Sequence, residues 1–399
     1  MNMDDYLYDR RFADVIARSC SHYDTHARDL GNESDFAQVW LVVLDMFKKG
    51  SYWCDIPYRS LLPKGINGLL VASRALSVDR EVSMGVRMQR DIQKIGEAAG
   101  IAAALSAAQG LEPRQLPIQQ LQQKLLERGV LKQPDLTRST TANLMLQKGP
   151  LGGKPLTPEY VRGLQGEEAV HLAEHLASYM GTEEEGAAVW WMTLLGHPAE
   201  APLLALLNGA GEHEVRRTAA LALGLLGSKQ AIPHLIHMLR IREDNRGPLA
   251  RSLPKWIAAV VVLRLLGCRV VLGDMVMALE ENHSAGINTF LLQFLYQLSG
   301  GLGVQERTDL TDRLKRWVSR TDIGEGYMTP KENAVISIRW NIVLWIGRIL
   351  VKNGDESGIE ICKPYLDDPR IFVRLAAAEA LREMERLLVG GQQEGGMVR

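Results

Sequence analysis

The 399-residue chain sets 46 lysines and arginines against 47 aspartates and glutamates, so its net charge is close to zero. That balance gives no electrostatic pull towards nucleic acid or an acidic membrane surface. The four cysteines, Cys20, Cys54, Cys268 and Cys362, have no C-x-x-C spacing for zinc or an iron–sulfur cluster and fit a reduced compartment. The first residues, with Asp4, Asp5, Asp9, Arg10 and Arg11, carry no apolar signal core. Trp256 to Leu266 is too short to span a membrane and contains Arg264. The expectation is a cytoplasmic protein with neither a nucleic-acid nor a membrane partner.

Residues 1–50 mix charge with aromatics, and a helix is expected around Phe36 to Lys48. Gly68 to Arg74 is a continuous apolar run led by glycine and stopped by arginine, which predicts a short buried strand. Met88 to Ala108 predicts a helix on which Gly96, Gly100, Ala103 and Ala107 share one face. Such a face suits the close approach of a sheet or a cofactor. Gln115 to Arg128 predicts an amphipathic helix with Leu116, Leu121, Leu125 and Leu126 on its inner edge. Residues 131–165 hold Pro134, Pro150, Gly152, Gly153, Pro155 and Pro158 and predict a linker.

From residue 166 to 389 the pattern is almost wholly helical, and a repeat shows in it. Val215-Arg216, Ala219-Ala220 and Ala222-Leu223 are spaced as are Val373-Arg374, Ala377-Ala378 and Ala380-Leu381. Acidic turns precede both, at Glu212 to Glu214 and at Asp367-Asp368-Pro369. Roughly four periods of about 40 residues separate the copies, the length of a two-helix solenoid repeat. This part resembles HEAT repeats. The resemblance implies close helix stacking at the paired alanines and an arginine that ties each repeat to an acidic residue of its neighbour. Residues 390–399 are expected to be a disordered polar tail.

The blocks with the most chemical content lie nearer the beginning. They are Ile56-Pro57-Tyr58-Arg59-Ser60-Leu61-Leu62-Pro63-Lys64-Gly65, Gly68-Leu69-Leu70-Val71-Ala72-Ser73-Arg74, Arg87-Met88-Gln89-Arg90-Asp91 and Gly96-Glu97-Ala98-Ala99-Gly100. Residues 6–129 thereby resemble the C-terminal end of a family of FAD-dependent oxidoreductases, in the group of fumarate reductase and the flavin subunit of heterodisulfide reductase. That family shares I-P-Y-R-S-L-x-P-x-G, then N-L-L-V-A-G-R, an arginine, and G-x-A-A-G. Ser73 stands where the family usually has glycine, and Gly68 where it usually has asparagine.

The resemblance implies hydride or electron transfer through FAD, with this element beside the ribityl chain and flavin ring. Carried onto this sequence, the cofactor-binding candidates are Arg59, Ser73, Arg74, Arg87, Met88, Gln89, Gly96, Ala99 and Gly100. A helix N-terminus there can stabilise negative charge on the pyrimidine side of a reduced flavin. Arg87 is the candidate partner for that edge or for a substrate carboxylate. Structural ion pairs are the alternative role for Arg59, Arg74 and Arg87. Some family members also hold a 4Fe-4S cluster on upstream cysteines.

A dinucleotide site needs a strand, G-x-G-x-x-G and a helix, and this sequence contains no such fingerprint; Gly301-Leu302-Gly303 lacks the third glycine. FAD binding by this chain alone is therefore expected to be weak or absent. The nucleotide-binding half is expected from upstream sequence or from a separate partner protein.

Other motifs have plainer explanations. His171-Leu172-Ala173-Glu174-His175 fits the inverted zinc-peptidase pattern H-x-x-E-H, but an exposed face of a repeat helix accounts for it. His234 and His237 are read in the same way. Trp190, Trp191, Trp340 and Trp345 sit in apolar helices and are read as core. Gly149 to Thr157 fails the P-loop pattern because Pro155 follows Lys154.

The expected architecture is mostly α. A small α/β segment at 1–130 is the C-terminal piece of a flavin-binding domain, 131–165 is a linker, and 166–389 is a HEAT-like solenoid that recruits a protein partner. The alternative is a non-enzymatic HEAT scaffold with a vestigial flavin-domain cap.

Overall fold

The computed structural model describes residues 1–23, 27–46, 51–138, 144, 146, 156–244, 253–281, 284–324, 327–328 and 335–395. In chain order the elements of the first half are α1 (Met3–Leu7), β1 (Val15–His22), α2 (Asp35–Gln38), β2 (Ser51–Pro57), α3 (Arg80–Val86), α4 (Gln89–Gln109), α5 (Ile118–Arg128), α6 (Gln133–Thr137), α7 (Pro158–Gly163), α8 (Gly166–Ala177), α9 (Glu185–Leu195) and α10 (Glu200–Asn208). They are followed by α11 (His213–Leu225), α12 (Ile232–Arg240), α13 (Lys255–Leu265), α14 (Leu272–Glu280), α15 (Ala285–Ser299), α16 (Val304–Val318), α17 (Arg339–Lys352), α18 (Ser357–Cys362) and α19 (Ile371–Gly395). The fold is mostly α, as the sequence pattern predicts. No helix among the described residues is long and apolar enough to cross a membrane.

Two compact units result, and the chain passes between them early. One comprises residues 1–25 and 44–206, the other residues 26–43 and 207–399.

In the first unit β1 and β2 form an antiparallel ribbon that sets Arg18 opposite Asp55, Ser19 opposite Cys54 and Cys20 opposite Trp53. Helices α3, α4 and α5 pack on β1, and α1 packs on β2. The 21-residue α4 has no proline in its span and stops at Gly110, whose φ of 63° closes the helix in the left-handed region. Ile95, Ala98, Ala99, Ala102 and Ser106 are its buried face, while Gly100, Ala103 and Ala107 point to solvent. The expected small-residue face is thus the outer one. Two stripes of small residues run along this helix, and the one containing Ile95 gains more from burial.

Gly68 to Arg74 does not form the expected strand. Leu69, Ala72, Ser73 and Arg74 are exposed, and Gly68 has a left-handed φ of 66°. The described sheet here ends at two strands, so this apolar run has no strand to pair with. One backbone bond, Val71 N–H to Leu61 O at 2.9 Å, holds it. In α5 Leu121 and Leu125 are buried and Leu126 is half-buried. Gln122 is also inside, because its amide donates to the carbonyls of Ala13 at 2.9 Å and Val15 at 3.1 Å. Within the expected linker the backbone forms α6 and α7, both with proline near the helix start, where its missing N–H is harmless. Most of the Gly149 to Thr157 stretch lies outside the described residues.

The second unit has two rows of helices. Helices α11, α13, α15, α17 and α19 pack each on the next; α12 fills in against α11 and α13, α14 against α15, α16 against α17, and α18 against α17 and α19. The first pair of alanines packs as the repeat resemblance implies, with Ala219 and Ala220 both fully buried; in the second pair Ala377 is fully buried and Ala378 half-buried, and Ala380 takes the other buried position. A side chain at Gly224 would overlap Val262 on α13. In the second copy the arginine of the motif, Arg374, does not act as expected. Arg374 donates to the Asp368 and Pro369 carbonyls just before its own helix, at 2.8 and 3.1 Å. Ties between neighbouring repeats come instead from Arg240 to Asp274 (2.9 and 3.1 Å) and from Arg348 to Glu383 (2.7 Å). Arginines near the ends of α12 and α17 reach the following repeat, whereas Arg374, in the first turn of α19, reaches only the preceding loop.

Residues 27–43 complete this unit. The expected helix near Phe36 is the short α2 followed by a π-helical turn at Val39–Val43, which packs on α13 and buries Trp40 completely. Ala27–Asn32 packs on α15. Asn32 accepts from Trp345 Nε1 at 2.9 Å and donates to Asn341 Oδ1 at 3.1 Å. Arg264 donates to Asp35 at 2.6 Å and Gln38 at 3.3 Å. The backbone of α19 stays helical to Gly395, into the stretch expected as a tail.

Candidate functional site

The first unit carries the motif blocks. After Pro57 the chain makes a single 3₁₀ turn, Tyr58–Leu61. Ser60 Oγ donates to Pro57 O at 2.7 Å, and Ser60 O accepts from Ser77 N–H at 2.8 Å. Tyr58 donates to Pro113 O at 2.9 Å, and burial pushes its phenol up to about 12. Arg114 donates to Pro63 O at 2.7 Å. The segment from Ile56 to Gly65 is therefore a rigid turn, pinned at both ends to the chain around Pro113.

The candidate cofactor residues fall into three places. Arg59 is exposed, binds Asp14 Oδ1 at 2.6 Å and lies over the Phe12 ring at 4.8 Å. This is the structural ion pair that the sequence left open as its alternative role. Ser73 and Arg74 are on the exposed loop, where Ser73 Oγ accepts from Ala75 N–H at 3.4 Å. The others sit at or on α4. Arg87 is half-buried at the end of α3, Met88 caps α4, and Gln89 is its first residue. Gly96 faces the loop: a Cβ there would lie 3.7 Å from Ala72 O. That contact brings the Gly68–Arg74 loop onto α4, so two of the motif blocks meet. Ala99 points into the core, while Gly100 meets nothing within 4 Å.

Of these candidates Arg87, Met88 and Gln89 come together at the start of α4, while Arg59 lies apart on its ion pair with Asp14. The first turn of α4 offers the Gln89 and Arg90 amides, with Arg87 beside them, while the Asp91 and Ile92 amides are taken by Met88 O and the turn also holds the acidic Asp91. No glycine-rich strand-to-helix turn accompanies it among the described residues, so nothing described can cradle a pyrophosphate. A bound flavin would supply two-electron redox chemistry. This chain's residues would orient one side of it.

Sequence reasoning missed the most strongly bound group of the unit. Asp9 and Asp55, both fully buried, share Arg18 and Arg138. Arg18 binds Asp9 at 2.6 and 3.0 Å and Asp55 at 2.9 Å; Arg138 binds Asp9 at 3.1 and 3.2 Å and Asp55 at 2.6 Å. Burial pushes the Asp9 carboxyl above its ordinary range, against the pull of Arg18 and Arg138. Arg18 also lies over the exposed Trp53 ring at 5.2 Å. The available signal was Asp55, a lone acid in an apolar strand. Nearby, Ser21 donates to the buried Asp91 of α4.

The histidine motifs are surface features. His171 is exposed, with Nδ1 3.8 Å from Glu174, and the His175 ring lies edge-on to Tyr179. No group of three or more potential metal ligands occurs among the described residues. His234 and His237 are exposed on α12. Trp191 is fully buried and donates to Leu144 O at 3.0 Å. Trp190, Trp340 and Trp345 are half-buried.

The family described as FAD dependent oxidoreductase matches residues 1–125, and HEAT repeats match residues 171–253. The chain joins an FAD-oxidoreductase-like segment to HEAT repeats. No curated protein matches it. Among solved structures, the complex of CpcE and CpcF of phycocyanin lyase from Nostoc sp. PCC7120 matches with 20% identity, over 62% of this chain and 73% of that chain, at a TM-score of 0.21.

Proposed function

We propose that residues 1–130 are the C-terminal portion of an FAD-dependent oxidoreductase module of the fumarate reductase and heterodisulfide reductase type. Its nucleotide-binding half comes from sequence outside this chain, and the solenoid recruits a protein partner. The observation that carries this reading is the exposed Gly68–Arg74 loop, seated on Gly96 of α4. It is an apolar run with strand composition held by one backbone bond, Leu69 being 48% exposed, beside a helix whose outer face includes Gly100, Ala103 and Ala107. A sheet from the missing half would cover both. In that assembly the first turn of α4 and Arg87 face the flavin, while Arg59 holds the turn through Asp14.

The test is to purify the protein from its source cells and measure intact mass and visible absorbance on one sample. Bound oxidised flavin, with either a mass well above 44.3 kDa or a co-purifying flavoprotein half, is the expected result. A mass equal to this chain, with no flavin and no such partner, overturns the reading. The second reading, a scaffold with a vestigial cap, draws on Arg59, whose engagement with Asp14 fills its role without a cofactor.

A further inference from the structure

The last helix of the solenoid has two faces. Val373, Ala377, Ala380 and Met384 are fully buried against the repeat beneath. The opposite face presents Ile371, Leu375, Glu379, Arg382, Arg386 and Val389, spaced by three and four residues, which places them within an arc of about 80° on a helix turning about 100° per residue. Its apolar members are open: Ile371 is 65%, Leu375 61% and Val389 62% exposed. Two shallow grooves run along this face, one lined by Leu375, Glu379, Arg382 and Arg386, the next by Arg382, Glu385, Arg386 and Val389.

The order of charges along the stripe identifies what fits it. Apolar residues stand at both ends, and acid followed by base stands in the middle. Arg382 and Arg386 hydrogen-bond to carbonyls of their own helix, Ala378 O at 3.1 Å and Arg382 O at 3.2 Å, and Arg386 also lies within electrostatic reach of Glu383 on the same helix. An antiparallel copy of the same helix, turned about a twofold axis at the level of residue 380, answers each position. Glu379 of one copy meets Arg382 of the other, twice by symmetry. Leu375 lies along the aliphatic stem of Arg386, and Ile371 covers Val389. A parallel copy would instead set Glu379 beside Glu379 and Arg382 beside Arg382, which like-charge repulsion disfavours.

We propose that α19 is a homodimerisation surface on which two chains pair antiparallel through this stripe. A single helix pair is a small interface, so the dimer is reversible, with a Kd on the order of 10 µM. Every residue invoked is exposed, so substitutions there leave the solenoid core intact.

The experiment is sedimentation equilibrium of the full chain across concentrations bracketing that constant, on the parent protein, E379R, R382E and the double variant E379R/R382E. The parent is expected to dimerise, and each single reversal to weaken the dimer by more than about tenfold, because it sets two like charges together. The double reversal restores the pair and is expected to return the parent constant. A parent protein that stays monomeric, or a dimer indifferent to all three variants, overturns the proposal; the monomeric result would leave this face to a different protein.

Discussion

Arg138 sets its guanidinium 3.1 and 3.2 Å from the two carboxylate oxygens of Asp9, 129 positions earlier in the chain. It closes a buried square of two acids and two arginines, and it fastens α6 to the ribbon. Arg138→Ala leaves the two carboxylates to share Arg18 alone and is expected to cost about 3 kcal/mol in urea unfolding. Removing Arg138 also takes away one of the two cations that oppose the burial of Asp9. A carboxyl whose folded pKa lies above its unfolded value loses stability as pH rises between the two. The deficit of the variant should therefore be larger at pH 8 than at pH 4. Arg128→Ala, which removes an exposed pair with Glu97, should stay within about 0.5 kcal/mol of the parent.

Asn32 offers a second test, in the other unit. Its side chain meets Trp345 Nε1 and the buried Asn341, which itself donates to Thr289 at 3.3 Å. Asn32→Ala strands these groups, and about 1–3 kcal/mol of stability should be lost. The Trp345 fluorescence maximum should shift as the indole loses its acceptor. An unchanged spectrum together with unchanged stability would show that the contact contributes nothing.

Glu383 makes the fold sensitive to acid. It accepts from Tyr296 at 2.6 Å and from Arg348 at 2.7 Å. Burial of Glu383 works to raise its pKa, but these two donors outweigh it and hold the carboxyl below the ordinary range. A depressed carboxylate stabilises the fold above its unfolded pKa, near 4.3, and the contribution disappears as pH falls through the folded value. Glu383→Gln should be less stable than the parent by about 1–2 kcal/mol at pH 7, and the gap should narrow below about pH 4. Paired urea titrations at the two pH values give the answer directly.

Two glycines separate packing from propensity. A methyl group on Gly85 would overlap the Tyr6 ring, which is fully buried and has nowhere to move. Gly85→Ala should cost about 1–3 kcal/mol. Gly100 is exposed in the middle of α4 and meets nothing within 4 Å, so Gly100→Ala should raise stability by about 0.5–1 kcal/mol through helix propensity alone. Thermal melts of the two variants should move in opposite directions.

The presence of the helices, the α5 leucines Leu121 and Leu125, and the buried repeat alanines Ala219, Ala220 and Ala377 were legible because each is a local apolar pattern. The Gly68–Arg74 run was misread for the same reason. Its composition is that of a strand, but a strand also needs a neighbour, and composition carries no information about one. On α4 the sequence offered two stripes of small residues, and Ile95 decided which of them faced inwards. The Asp9, Arg18, Asp55 and Arg138 group left almost no trace, since its four members are scattered over the first 138 positions and only folding assembles them. The tie between repeats was expected at the motif arginine but formed at Arg240 and Arg348, where helix ends come within reach of the next acid.

The passage of residues 26–43 into the second unit bears on how the chain matures. During synthesis Trp40 and Val39–Val43 emerge long before α13, the helix that shelters them. Until α13 appears, this apolar stretch is a natural client for a chaperone. Proteolytic separation of the two units would require cuts on both sides of this crossing as well as near residue 206, so a single nick between α5 and α7 would leave the pieces associated.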